Sequence, residues 1–253
     1  MNAMLERSAQ PGRAMPEATA TARPAPMPMD RLQFVLIGFP LGSLLVSLPL
    51  LARDGIAAAG FEFRLLYWPL VVAWYCVQIA VLSRVLKSCG WRWADIGYGL
   101  DRRRTAWFVG GYLAFAFALV GFVEFALAGS GVGPEQLKAL SDFSNLAPQG
   151  LGERLVYVAM GLVAGLCEEL VYRGFAINAL RSRGWSAWLA VPVAAIPFVF
   201  QHGLKSLQQF WWFLGWGLLL GAVFVVLRKL YANIVVHWLV ILSAMLAVLQ
   251  VLR

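Results

Sequence analysis

The sequence predicts an all-α fold, a polytopic transmembrane helix bundle of about seven spans built around a polar cavity. Composition is the first observation. Of 253 residues, 60% are hydrophobic and only 13% charged, whereas soluble domains run at about 45–50% and about 25%. Layout is the second. The apolar residues fall in blocks about twenty long, parted by short stretches carrying Arg, Lys, Gly or Asp, and a bilayer core takes roughly 20 apolar residues per helix. The third is a small set of ionisable side chains inside those blocks, costly in lipid unless they face one another. A soluble enzyme, a disulfide scaffold and a disordered chain are all excluded. Cys76, Cys89 and Cys167 lie apart without a CxxC pair, so they point to neither a disulfide framework nor a zinc ribbon.

Residues 1–30, rich in Pro, Ala, Met and Arg, read as a disordered tail. They do not read as a cleaved signal, because the first long apolar run begins after Arg31. Residues 31–253 then form the membrane domain, with spans expected at 32–52, 65–86, 106–128, 154–180, 186–202, 209–228 and 231–252. The fourth is long enough to tilt or project. The fifth is short and carries Pro192 and Pro197, which predicts a kink. Gly161 with Gly165, and Gly217 with Gly221, make GxxxG faces suited to close helix approach. No internal repeat is evident, so an inverted-repeat transporter gains no support.

Orientation follows from the cations. Fourteen Lys and Arg fall on the side of the N-terminus and six on the other, placing the N-terminus in the cytoplasm and the C-terminus outside, across a cell (inner) membrane. The net charge of +8 therefore has a topological origin, and no nucleic-acid partner is expected. Asp101-Arg102-Arg103-Arg104 reads as an anchor at anionic lipid. Phe210-Trp211-Trp212-Phe213 reads as an interfacial belt, and Glu124 as an outer-interface acid.

The fourth span holds the chemistry. In Cys167-Glu168-Glu169-Leu170-Val171-Tyr172-Arg173, Glu169 and Arg173 share a helix face and can neutralise one another. Glu168 points about 100° away and needs a different partner. The chain's two histidines, His202 and His237, fall at the end of the fifth span and inside the seventh. At about 1.5 Å per residue, Glu168 lies about 20 Å along its helix from Arg181, His202 about 24 Å from Ser186 and His237 about 12 Å from Lys229. Tilt permits the three to meet in mid-membrane. An architectural charge cluster is the alternative.

Glu-Glu-x-x-x-Arg at 168–173, Phe-x-x-x-His at 198–202 and a last-span histidine together resemble the CPBP family of intramembrane proteases (CAAX-protease and bacteriocin-processing, ABI or Rce1-like). The resemblance covers about residues 150–245, and the first three spans match only as generic membrane helices. It implies a glutamate-dependent endopeptidase with a polar intramembrane active-site cavity and no cofactor or metal. By position, Glu168 is the base that activates water and His202 helps hold that water. Glu169 and Arg173 brace the site, and His237 stabilises the oxyanion. A carboxylate in a low-dielectric pocket is a better base than one in water, and fixed donors around a developing oxyanion are worth several kcal/mol.

The family places an Asn four residues after the last His, and here that residue is Ile241, which has no donor. Asn233, four residues before His237 on the same helix face, is a possible substitute. The expected partners are the lipid bilayer and a membrane-associated protein or peptide, with a CAAX tail, a leader or a C-terminal sorting signal all open and the missing Asn slightly favouring the sorting type. Oligomeric state is open as well. Two alternatives remain at this point: a non-catalytic membrane immunity or peptide-binding protein, and a zinc-dependent membrane protease, since two His and a Glu can make a zinc site.

Overall fold

A computed structural model of the chain describes residues 24–99 and 151–251. The span expected over 106–128, Glu124 and the Asp101–Arg104 anchor lie outside the described residues, as does the tail up to Arg23. Helix α1 (Met29–Ser47) starts directly after Pro28, with Asp30 in its first turn, a favourable place for an anion. A 3₁₀ turn (Leu48–Ala52) and α2 (Arg53–Ala58) continue it. Helix α3 (Phe63–Ser88) descends again, and a short 3₁₀ turn (Trp93–Ile96) follows. After the undescribed segment come α4 (Leu151–Glu168), a π-helical stretch (Glu169–Ile177) and α5 (Asn178–Ser182). Helices α6 (Ala187–Phe200), α7 (Lys205–Gln208), α8 (Phe210–Leu227) and α9 (Leu230–Val251) complete the chain. Among the described residues there is no strand.

Among the described residues, four rods are long and apolar enough to cross a membrane: Met29–Ala58, Phe63–Ser88, Leu155–Ser182 and Phe210–Leu227. The chain is an integral membrane helix bundle. Pro192 and Pro197 both sit inside one continuous helix of 14 residues, α6, which at about 1.5 Å per residue is about 21 Å long. Helix α6 stops at Phe200, so His202 lies just beyond the helix rather than on it. Gly203 explains the stop. Its φ is +60°, and a Cβ there would lie 2.5 Å from Ser47 Oγ and 2.9 Å from the Ser43 carbonyl. Only glycine combines that backbone with that approach to α1.

Helix α8 lies along α6, while α3 and α9 flank α4. Both GxxxG faces are at these contacts. A Cβ on Gly221 would stand 2.7 Å from Val191 Cγ1, and one on Gly217 3.0 Å from Ala195 Cβ. On α4, a Cβ on Gly161 would meet Ile241 Cγ2 at 2.6 Å, and one on Gly165 would meet Trp238 Cδ1 at 2.6 Å. Trp238 and Ile241 are thus knobs in a glycine groove, and Trp238 also donates Nε1–H to the Leu162 carbonyl at 2.8 Å.

Order begins earlier than the tail reading over 1–30 expects. Met27 is fully buried, its N–H donates to Ser182 Oγ at 3.0 Å, and its carbonyl accepts from Arg183 at 3.0 Å. Trp91 Nε1–H donates to the Ala25 carbonyl at 3.0 Å. One buried methionine contributes roughly 1.5–3 kcal/mol, and it holds the chain from Pro24 onward against α5.

Candidate active site

The site forms where α4 changes winding. Glu168 is the last residue of α4 and Glu169 the first of the π-helical stretch, in which all nine residues are buried. A π-helix bonds i→i+5 and is found mostly at functional sites. It is accommodated here by tight packing: a Cβ on Gly174 would lie 2.5 Å from Leu230 Cδ1 and 3.0 Å from the Ile96 carbonyl.

The structure brings Glu168, Glu169, Arg173, His202 and His237 into one cluster. Arg173 NH1 lies 2.9 Å from Glu169 Oε1, both side chains almost wholly buried. The guanidinium also donates through NH2 to the Trp216 carbonyl at 3.3 Å and lies 4.1 Å above the Phe198 ring. A buried cation needs such a set of partners. His237 Nδ1 is 2.8 Å from Glu169 Oε1. Its Nε2 lies 3.5 Å from Glu168 Oε2, and His202 Nε2 lies 3.8 Å from the same oxygen. His202 is clamped by its neighbours. Its ring stacks on Phe213 at 3.6 Å between centroids and meets the edge of Phe198 at 5.0 Å.

Hydrogen-bond partners fix both tautomers. His202 Nδ1 faces the Phe198 carbonyl at 3.0 Å and the Val199 carbonyl at 3.3 Å. A carbonyl only accepts, so Nδ1 carries the proton. His237 Nδ1 faces a carboxylate oxygen paired with arginine, and the same reasoning puts its proton on Nδ1. In each neutral ring Nε2 is then a lone pair. Glu168 Oε2 and two Nε2 atoms converge at separations too long for direct hydrogen bonds, three acceptors facing one spot.

The sequence reading overlooked several polar partners. Tyr75 on α3 donates its hydroxyl to Glu168 Oε1. Gln78 Oε1, also on α3, accepts from Gln201 Nε2 at 3.1 Å and from Cys167 Sγ at 3.4 Å. Tyr172 donates to Gln201 Oε1 at 2.6 Å. A signal was present: Tyr75 and Gln78 sit three apart, on one face of an otherwise apolar span. Asn233 is fully buried and donates Nδ2–H to the Leu220 carbonyl at 2.6 Å, tying α9 to α8. Ile241 occupies the glycine groove of α4. Among the described residues, no group of three His, Cys, Asp or Glu side chains is arranged to hold a metal ion.

Residues 150–242 match the family described as type II CAAX prenyl endopeptidase Rce1-like. Neither curated proteins nor solved structures give a match. The match takes in all five residues of the cluster, while Tyr75 and Gln78, on α3, lie outside it. Over residues 150–242, then, the chain is similar to the Rce1-like type II CAAX prenyl endopeptidases.

Proposed function

We propose that the protein is a glutamate-type intramembrane endopeptidase in which Glu168 activates the attacking water. The observation that carries this is the convergence of Glu168 Oε2 with two imidazole Nε2 atoms at 3.5 and 3.8 Å. A water between them donates one O–H to the carboxylate and the other to a histidine, leaving its oxygen lone pairs for a carbonyl carbon. The water O–H bond breaks as its proton moves to Glu168 Oε2, the C–O bond forms, and the carbonyl becomes an oxyanion. Glu168 then returns the proton to the leaving nitrogen as the C–N bond breaks, and the carboxylate is regenerated.

The fixed tautomers constrain the other roles. His237 donates to the oxyanion from Nε2 only as imidazolium, and Glu169 at 2.8 Å supplies the countercharge. His202, its Nδ1–H committed to backbone, serves as an acceptor that orients water. Glu169 and Arg173 are the brace. The orientation reading completes the proposal, with residues 31–253 as the membrane domain of a cell-membrane protein and its N-terminus in the cytoplasm.

The test is comparative proteomics of protein termini in a deletion strain complemented with wild type or with Glu168→Gln. Termini processed only when wild type is restored define the substrate. No restored terminus, or equal restoration by Glu168→Gln, would refute the proposal, and a bound but uncut peptide would favour the non-catalytic alternative.

A further inference from the structure

We infer that Tyr75 is a positioning residue of this site, its phenol pinning one oxygen of the Glu168 carboxylate so that the other is presented to the histidines. The inference rests on Glu168 being the base. A carboxylate turns broadly about its last bond, so burial alone does not choose which oxygen faces the water. The Tyr75 hydroxyl makes the choice. It donates to Oε1 and leaves Oε2 toward His237 and His202. Both partners are buried, where a hydrogen bond to an ionised group is strong and directional.

Helix α3 is itself held in register for this task. Gln78, about one turn beyond Tyr75, bonds Gln201 of the α6–α7 turn and Cys167 of α4, and its Nε2 reaches Ser43 Oγ of α1 at 3.4 Å. Ser43 in turn accepts from Trp74 Nε1 at 2.8 Å. Among the described residues, no other hydrogen-bond donor stands at Oε1. Glu169 and Arg173 are committed to one another, and both histidines stand at Oε2.

The experiment compares full-length wild type, Tyr75→Phe and Glu168→Gln in membranes, on the terminus that wild type restores in the deletion strain. Phenylalanine keeps the ring and removes the donor. A lost hydrogen bond to a charged group corresponds to about a 10–100-fold effect. Expected for Tyr75→Phe is that fall in kcat at unchanged KM, with a melting temperature lower by a few degrees because the buried Oε1 loses its donor. A kcat within twofold of wild type, while Glu168→Gln is inactive, overturns the role of Tyr75 and leaves that of Glu168 standing. Activity in Glu168→Gln overturns both. Should Tyr75→Phe fold poorly, 3-fluorotyrosine at position 75 keeps the shape and strengthens the donor. It makes Glu168 a weaker base and slows kcat at least threefold at unchanged stability, whereas an unchanged kcat refutes the inference.

Discussion

Glu169→Gln separates the two adjacent acids most cleanly. Glu169 is fully buried and its Oε1 meets two groups, Arg173 at 2.9 Å and His237 Nδ1 at 2.8 Å. The amide oxygen of glutamine still accepts from His237, so the histidine tautomer survives. The charge does not. Arg173, with its side chain only 2% exposed, would keep the Trp216 carbonyl and the Phe198 face but lose its counterion. Breaking a buried pair from one side costs roughly 3–5 kcal/mol. In a domain of this size about 1 kcal/mol moves the melting temperature by roughly 2–4 °C, so a fall of roughly 6–20 °C is expected. Thermal unfolding in detergent reads it, and Arg173→Met added to Glu169→Gln should recover most of the loss. A single variant melting within about 2 °C of wild type would show that the pair does not carry the charge balance of the site.

Glu168→Gln should behave in the opposite way, with cleavage reduced about 10²–10⁴-fold and melting temperature kept or raised, since an amide is less costly to bury than a carboxylate. Wild-type cleavage by this variant would end the water-activation mechanism. Gly221→Ala drives a methyl to 2.7 Å from the stiff Val191, so a stability loss of about 1–3 kcal/mol is expected with kcat unchanged below the melting range. Gly217→Ala instead pushes at 3.1 Å on Phe198 Cδ1, the ring that carries Arg173 and touches both histidines, and should lower kcat as well. Dialysis against a chelator should leave cleavage intact, and a loss reversed by zinc would favour the metal mechanism.

Much of this arrangement is legible in the sequence because lipid makes polarity informative. In an apolar helix each ionisable residue must find a partner, so Glu168, Glu169, Arg173, His202 and His237 stand out without any structure, as does the i,i+4 pairing of Glu169 with Arg173. Helix bounds follow the apolar blocks to within a few residues, for example 65–86 expected and Phe63–Ser88 observed. What escapes has two physical causes. One is winding: α-helical geometry puts Glu168 and Glu169 about 100° apart and assigns them separate partners, whereas in the structure His237 touches both. The other is sequence distance. Tyr75 and Glu168 are 93 residues apart, and a tyrosine in an apolar span is ordinary.

That second cause bears on how the site is built. The family match begins at residue 150, yet one oxygen of the proposed base is held from α3, outside it. The glycine groove makes a parallel point about Ile241. A residue with two close glycine neighbours on α4 is selected for its shape as a knob, and an asparagine there would leave part of that groove unfilled. Ile241→Asn should therefore cost stability through lost packing, by about 1–3 kcal/mol. If it raised kcat instead, with the fold intact, position 241 would be an oxyanion-donor site occupied by a residue that cannot donate.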